Sequence, residues 1–121
     1  MKKILIVDDM FVSLQMTENM LAGQYETFCA SSPEEAMEIY RKEQPDLMIV
    51  DYAMPNMTGV ELMKILQEEA GKEIPFIIMK ADGNVESETS IFDSGARDFI
   101  RKPFNPKILL WRVANVFRAV G

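Results

Sequence analysis

Short apolar runs alternate with amphipathic stretches along the whole chain. "KILIV" (3–7) is short, apolar after Lys3 and rich in β-branched side chains, the pattern of a strand buried on both faces. Residues 11–22 carry helical spacing, and Gly23 is placed to end that helix. "ETFCA" (26–30) reads as a more exposed strand. "SSPEEAMEIYRKE" (31–43) opens a helix, with Ser32 as N-cap, Pro33 at the first helical position and Glu35 placed to complete a capping box. "DLMIV" (46–50) is a strand, and "TGVELMKILQEEAG" (58–71) a helix closing at Gly71. "PFIIM" (75–79) is the fourth strand, and 84–94 a weaker helix stopping at Gly95. "RDFIR" (97–101) is the last strand, followed by "NPKILLWRVANVFRAV" (105–120), a helix capped by Asn105 with Pro106 at its first position.

Strand and helix thus alternate strictly, which predicts a parallel sheet with helices on both faces. At 121 residues the chain is expected to be one domain, 1–121, without repeats or linkers. In open sheets of this kind ligands bind beyond the carboxyl ends of the strands. The residues just after each strand are therefore where function is sought.

Composition narrows the chemistry. The net charge of −6 argues against direct nucleic-acid binding, which needs a basic face. There is no histidine, which removes imidazole general bases and the commonest transition-metal ligand. The single cysteine, Cys29, allows no internal disulfide and suits a reducing cytoplasm. No stretch reaches the ~20 apolar residues needed to span a bilayer, and the N-terminal apolar run is shorter than a signal sequence requires. The chain is expected to be a mature cytoplasmic protein. The ten methionines read as adaptable core filler.

At the strand ends stand Asp8-Asp9, Asp51, Lys80 and Lys102-Pro103. Singly, each has an ordinary explanation in a helix start, a turn cap or a lysine reaching solvent. Four such placements on one rim point to a site. For strand order 2-1-3-4-5, Asp51 is central, Asp8 and Asp9 lie to one side, and Lys80 lies to the other. Lys102 stands one strand further out. Three carboxylates this close need compensation from protons or cations. Oxygen ligands and no histidine favour Mg²⁺. A carboxylate beside Mg²⁺ and an ammonium is equipped to attack a phosphoryl group, giving an aspartyl phosphate. On this reading Lys80, at the end of an apolar run, is expected to face the acidic cluster.

Together "ILIVDD", "LMIVDYAMPNMTG" and "RKPF" resemble the receiver domain of two-component response regulators, of the chemotaxis type, over essentially the whole chain. The resemblance implies a three-layer flavodoxin-like (βα)5 fold with Asp51 as phosphoacceptor. It implies Asp9 as a direct Mg²⁺ ligand, Asp8 as a ligand through water, and the Ala53 carbonyl completing the protein's ligands. Lys102 is similar to the lysine that pairs with the phosphoryl group, and Pro103 to a proline following it in a cis bond. Phe99 matches an aromatic switch position. The implied donor is a phosphohistidine on a sensor histidine kinase or phosphotransfer protein. The implied output surface is the face of the fourth helix, fifth strand and fifth helix.

The sequence departs from that pattern at Lys80, followed by Ala81, where the family usually has a serine or threonine followed by alanine. An ammonium there either bonds the phosphoryl group, or salt-bridges Asp51 at rest and holds Phe99 outward. The alternative reading is a degenerate receiver acting as a phosphorylation-independent interaction module. A Mg²⁺-dependent phosphohydrolase would want an acid at position 53, which is alanine, and a flavodoxin would want a hydroxyl- and glycine-rich loop in place of "DDMFVSLQ". Ala53 and Asp82 are expected to tune the lifetime of the phosphate. Thr58 and Gly59 are read as a turn and helix start without a catalytic role.

Overall fold

The computed structural model describes residues 1–81 and 85–120. Asp82 and the expected start of the fourth helix at residue 84 lie outside them. In chain order the elements are β1 (Lys3–Val7), α1 (Phe11–Leu21), β2 (Glu26–Ala30), α2 (Pro33–Glu43), β3 (Leu47–Asp51), α3 (Gly59–Ala70), β4 (Phe76–Lys80), α4 (Val85–Asp93), β5 (Asp98–Arg101) and α5 (Pro106–Val120). The strands form one parallel sheet in the order 2-1-3-4-5, as the alternation and resemblance predict.

The pleat divides the apolar runs between two cores. Leu5, Val7, Met48, Val50, Phe76 and Ile78 pack with side chains from α2, α3 and α4, among them Tyr40, Leu62 and Ile91. Their immediate neighbours Ile4, Ile6, Leu47, Ile49, Ile77 and Met79 pack on the other face with Leu14 of α1 and Leu109 and Val113 of α5. Because both faces are covered, consecutive residues are all apolar and the runs show no alternation. Each of these buried side chains contributes roughly 1.5–3 kcal/mol relative to exposure.

Two strands run one residue further than the hydropathy pattern indicated. β3 includes Asp51 and β4 includes Lys80, because backbone pairing continues after the apolar side chains stop. A short antiparallel ribbon, Ala53–Met54 against Met57–Thr58, lies between β3 and α3. Its turn is Pro55-Asn56, with Asn56 at φ 72°, the pairing of residues that a type II turn favours. Two-residue strands carry no periodicity, so the sequence pattern did not disclose the ribbon.

The helix ends partly follow expectation. Asn105 Oδ1 accepts a hydrogen bond from the Ile108 N–H, capping α5. Gly71 takes a left-handed conformation (φ 67°) at the end of α3. The Ser32 hydroxyl accepts from the Glu35 N–H, but the Glu35 carboxylate reaches back to the Ser31 N–H, so that expected box is only half made. The complete box is at α3, between Thr58 and Glu61. Gly23 does not end α1 through a left-handed turn. The helix stops at Leu21 with a right-handed Ala22, and the Gln24 and Tyr25 N–H groups donate to the Leu21 carbonyl.

Candidate functional site

The strand register brings the acids together. Val7 is paired with Val50, so Asp8 and Asp51 follow side by side on neighbouring strands. The Asp8 N–H donates to the Ala30 carbonyl, and the Asp8 carboxylate accepts from the Met10 N–H at 3.0 Å, fixing the turn into α1. Asp8 and Asp51 are buried and Asp9 is half-buried. One carboxylate oxygen from each of the three lies within 4.8 Å of the others.

Lys102 joins this cluster from the segment after β5. Its N–H donates to the Lys80 carbonyl at 2.7 Å, extending the β4–β5 pairing, and its peptide bond to Pro103 is cis. The ammonium lies 2.7 Å from Asp8 Oδ2 and 3.4 Å from Asp51 Oδ1. Burial pushes the Asp51 carboxyl up to about 6. The Lys102 ammonium opposes that rise, and the charges of Asp8 and Asp9 reinforce it.

The backbone after Asp51 is tightly held. The Tyr52 N–H donates to the Met79 carbonyl at 2.7 Å, and the Gly59 N–H to the Tyr52 carbonyl at 2.9 Å. A Cβ at Gly59 would run into the Asp51 carbonyl oxygen and meet Val50 Cγ1 at 2.9 Å. The first residue of α3 therefore has to be glycine for Asp51 to stay where it is. The sequence places Thr58 and Gly59 at a turn and helix start, which α3 bears out, but assigns Gly59 no part in holding Asp51. Its structural role depends on α3 crossing close to the end of β3, and no periodicity reports that.

Ala53 is exposed at the same rim. It borders an open cavity of about 700 Å³ whose polar end is Asp9, Asp51 and Lys102. Met16, Met20 and Phe104 form the cavity's apolar wall.

Lys80 does not turn toward the acids as the sequence reading expected. Asp51 is in register with Met79, so the pleat sends the next residue of β4 to the opposite face. There the buried Lys80 ammonium makes an ion pair with Glu88 of α4 at 3.1 Å. It also lies 5.9 Å from the centroid of the Phe99 ring. Phe99 is half-buried on β5, in register with Ile78, and meets Phe92 edge-on at 6.4 Å between ring centroids. The ammonium that reaches Asp51 is that of Lys102. Glu88, which the sequence reading did not single out, also pairs with Arg101 at 3.2 Å.

The acidic cluster suits a hard divalent cation. Its donors are closely gathered carboxylate oxygens, and the Lys102 ammonium pairs with two of the three acids, Asp8 and Asp51. Cys29 offers no competing reactive centre, since burial, helped by Glu18 and Glu35, pushes its thiol up to about 12.

Comparison with known proteins bears on this arrangement. A family model described as "Response regulator receiver domain" matches residues 4–114. "Probable transcriptional regulator ycf27" of Porphyra purpurea is 37% identical over 118 residues, covering 97% of this chain and 48% of that protein. The "Phosphate regulon transcriptional regulatory protein PhoB" of Pseudomonas aeruginosa is 35% identical, with 99% of this chain and 53% of that protein covered. The chain thus spans about half the length of the curated relatives it matches. Among solved structures, the Vibrio cholerae chemotaxis protein CheY4 superposes with a TM-score of 0.88 at 31% identity, covering 96% of this chain and 98% of the other. By sequence match and by fold, this chain belongs to the response regulator receiver domain family, the phosphoryl-accepting modules of two-component signalling.

Proposed function

We propose that residues 1–121 act as a single receiver domain in which Asp51 is the phosphoacceptor. The observation that carries this reading is the Asp51 carboxylate at the cavity's polar end, beside Asp8 and Asp9 and 3.4 Å from the Lys102 ammonium. A carboxylate oxygen of Asp51 forms the new bond to phosphorus as the bond from phosphorus to a donor histidine nitrogen breaks. Lys102 neutralises charge on the transferring group, and its hold on Asp8 and Asp51 keeps it within reach. Asp9 as a direct ligand, Asp8 through water, Asp51 and the Ala53 carbonyl would hold Mg²⁺. The ion, when bound, supplies further charge stabilisation to the phosphoryl oxygens. The all-oxygen donor set supports that assignment.

The donor is a sensor histidine kinase or a phosphotransfer protein, because the chain has no histidine of its own. Phe99 serves as the switch, and output passes through the face of α4, β5 and α5, where Phe92 and Trp111 are exposed. The acidic net charge supports a protein partner there and no direct nucleic-acid contact by this domain. We place the domain in the cytoplasm. Among the described residues no helix is long and apolar enough to cross a membrane. The degenerate reading has Lys80 either salt-bridged to Asp51 or holding Phe99 outward; the ion pair of Lys80 with Glu88 speaks against the first and supports the phosphorylatable reading.

Intact mass after incubation with acetyl phosphate tests the assignment. A gain of one phosphate that requires Mg²⁺ and disappears in Asp51→Asn is expected. A folded parent that gains no phosphate, or an Asp51→Asn variant that gains it equally, contradicts the assignment.

A further inference from the structure

The cavity beside Asp51 carries its charges at one end and is apolar along the rest. Among its described lining residues, charge is confined to Asp9, Asp51 and Lys102. Beyond them runs a stripe of α1, formed by Ser13, Met16, Thr17 and Met20, at the three- and four-residue spacing that gathers side chains on one helix face. The Thr17 hydroxyl donates to the Ser13 carbonyl at 2.9 Å, so it is engaged within the helix and offers the cavity little polarity. Val12 and Met16 are exposed at the mouth, and Phe104 lines the same space from the segment before α5.

Two features say what kind of occupant fits. The volume, about 700 Å³, lies within the roughly 300–1,000 Å³ of small-molecule sites, which are mostly apolar with a few polar groups that fix orientation. The phosphoryl chemistry at Asp51 sets the direction. In an in-line displacement the leaving group lies opposite the attacking oxygen, so it points away from Asp51 and into this space. An anionic leaving group would carry further negative charge past Asp9, whereas an aliphatic one is covered by methionines, whose side chains adapt to irregular apolar shapes.

We propose that the cavity holds the tail of a small phosphodonor, an acyl phosphate with a medium-length aliphatic chain, which lies along Met16, Met20 and Phe104 while its phosphoryl group meets Asp51. This rests on Asp51 being the phosphoacceptor, and it adds a second class of donor to the histidine-borne one. An Asp51 oxygen forms the bond to phosphorus as the bond between phosphorus and the acyl oxygen breaks. That oxygen keeps the electron pair, and the fatty acid leaves as its carboxylate, with no proton or further reactant needed. The chain touches the apolar wall alike before and during transfer, so it lowers KM and leaves kcat near that of a short donor. Each methylene fully covered by the wall tightens binding about fourfold. The cavity is open and covers only part of the chain.

The test compares octanoyl phosphate with acetyl phosphate as donors to the full chain in saturating Mg²⁺, following phosphate incorporation by intact mass. The kcat/KM for octanoyl phosphate should be about tenfold higher, with the gain in KM. Met16 is exposed, and glutamine keeps its length and helix propensity, so Met16→Gln makes the wall polar without disturbing the core. In that variant the ratio between the two donors should fall toward one. Octylphosphonate, which has no phosphoryl group to transfer, reports binding apart from transfer. It should shift the ¹³C-methyl signals of Met16 and Met20 and leave that of Met63, in the core on the other face of the sheet, in place. Equal kcat/KM for the two donors, a ratio unchanged in Met16→Gln, or Met16 and Met20 signals unmoved by octylphosphonate would each overturn the proposal and leave the apolar wall to a protein partner. If acetyl phosphate labels the parent and octanoyl phosphate holds no advantage, the aliphatic donor alone is removed. If neither labels a folded parent, the phosphoacceptor reading fails and the proposal fails with it.

Discussion

Lys80 ends β4 and Lys102 follows the neighbouring β5 at the same rim of the sheet, yet they serve opposite faces. Lys102 lies on the face of α1 and α5, within ion-pair distance of Asp8 and Asp51. Lys80 lies on the face of α4, paired with Glu88 and close to Phe99. Their residue type, rim and charge are alike. The difference is the parity of the strand, which turns successive side chains to opposite sides. One register step separates a lysine that neutralises the acidic cluster from one that ties a helix to the sheet edge.

The largest expected effect comes from moving the Asp51 side of this comparison bodily. In Gly59→Ala the added methyl collides with the Asp51 carbonyl and Val50, atoms that cannot swing aside. A loss of about 3 kcal/mol in urea denaturation is expected, with a marked fall in phosphorylation by acetyl phosphate. Parent-like stability would mean that α3 does not press on β3 as described.

A smaller effect follows from charge alone. The folded protein holds the Asp51 carboxyl at about 6, above its ordinary 3.8, so folding disfavours the ionised form. In metal-free protein this group's contribution to stability therefore falls as pH rises from about 4 through 6, and the full penalty is present above that. Asp51→Asn should be more stable than the parent at pH 8, by about 2 kcal/mol, and nearly equal to it at pH 4. Parallel stability–pH curves for the two proteins would contradict the raised carboxyl. Mg²⁺ should raise the Tm of the parent more than that of Asp51→Asn.

The least disruptive change is on the other face. Lys80→Met replaces a buried ion pair with an apolar side chain of similar length, and Glu88 keeps Arg101. Stability within about 1 kcal/mol of the parent is expected in thermal or urea unfolding. A loss of several kcal/mol would show that Lys80 holds more of the fold than this pair.

Much of this was legible in the sequence, for physical reasons that differ between regions. "KILIV" and "IPFIIM" announce doubly covered strands, because a parallel sheet leaves no polar face. Asn105-Pro106 and Gly71 announce helix ends, because local backbone geometry demands those residues. The gathering of Asp8, Asp9, Asp51 and Lys102 followed from strand order. What escaped were quantities that depend on where pairing stops. Hydropathy ends β4 at Met79, while the backbone continues through Lys80 to meet Arg101, and that single residue decides which face Lys80 serves. Gly59 and Glu88 escaped for a related reason: their contacts are made across space by α3 and α4, and neither residue type is unusual where it stands.

The measurement that tests the division of labour most directly is the rate of Mg²⁺-dependent phosphorylation by acetyl phosphate in Lys102→Met and in Lys80→Met. The account predicts a loss of about a hundredfold or more for Lys102→Met, whose ammonium faces the transferring group, and a change of only a few-fold for Lys80→Met. Equal losses, or the greater loss in Lys80→Met, would contradict it.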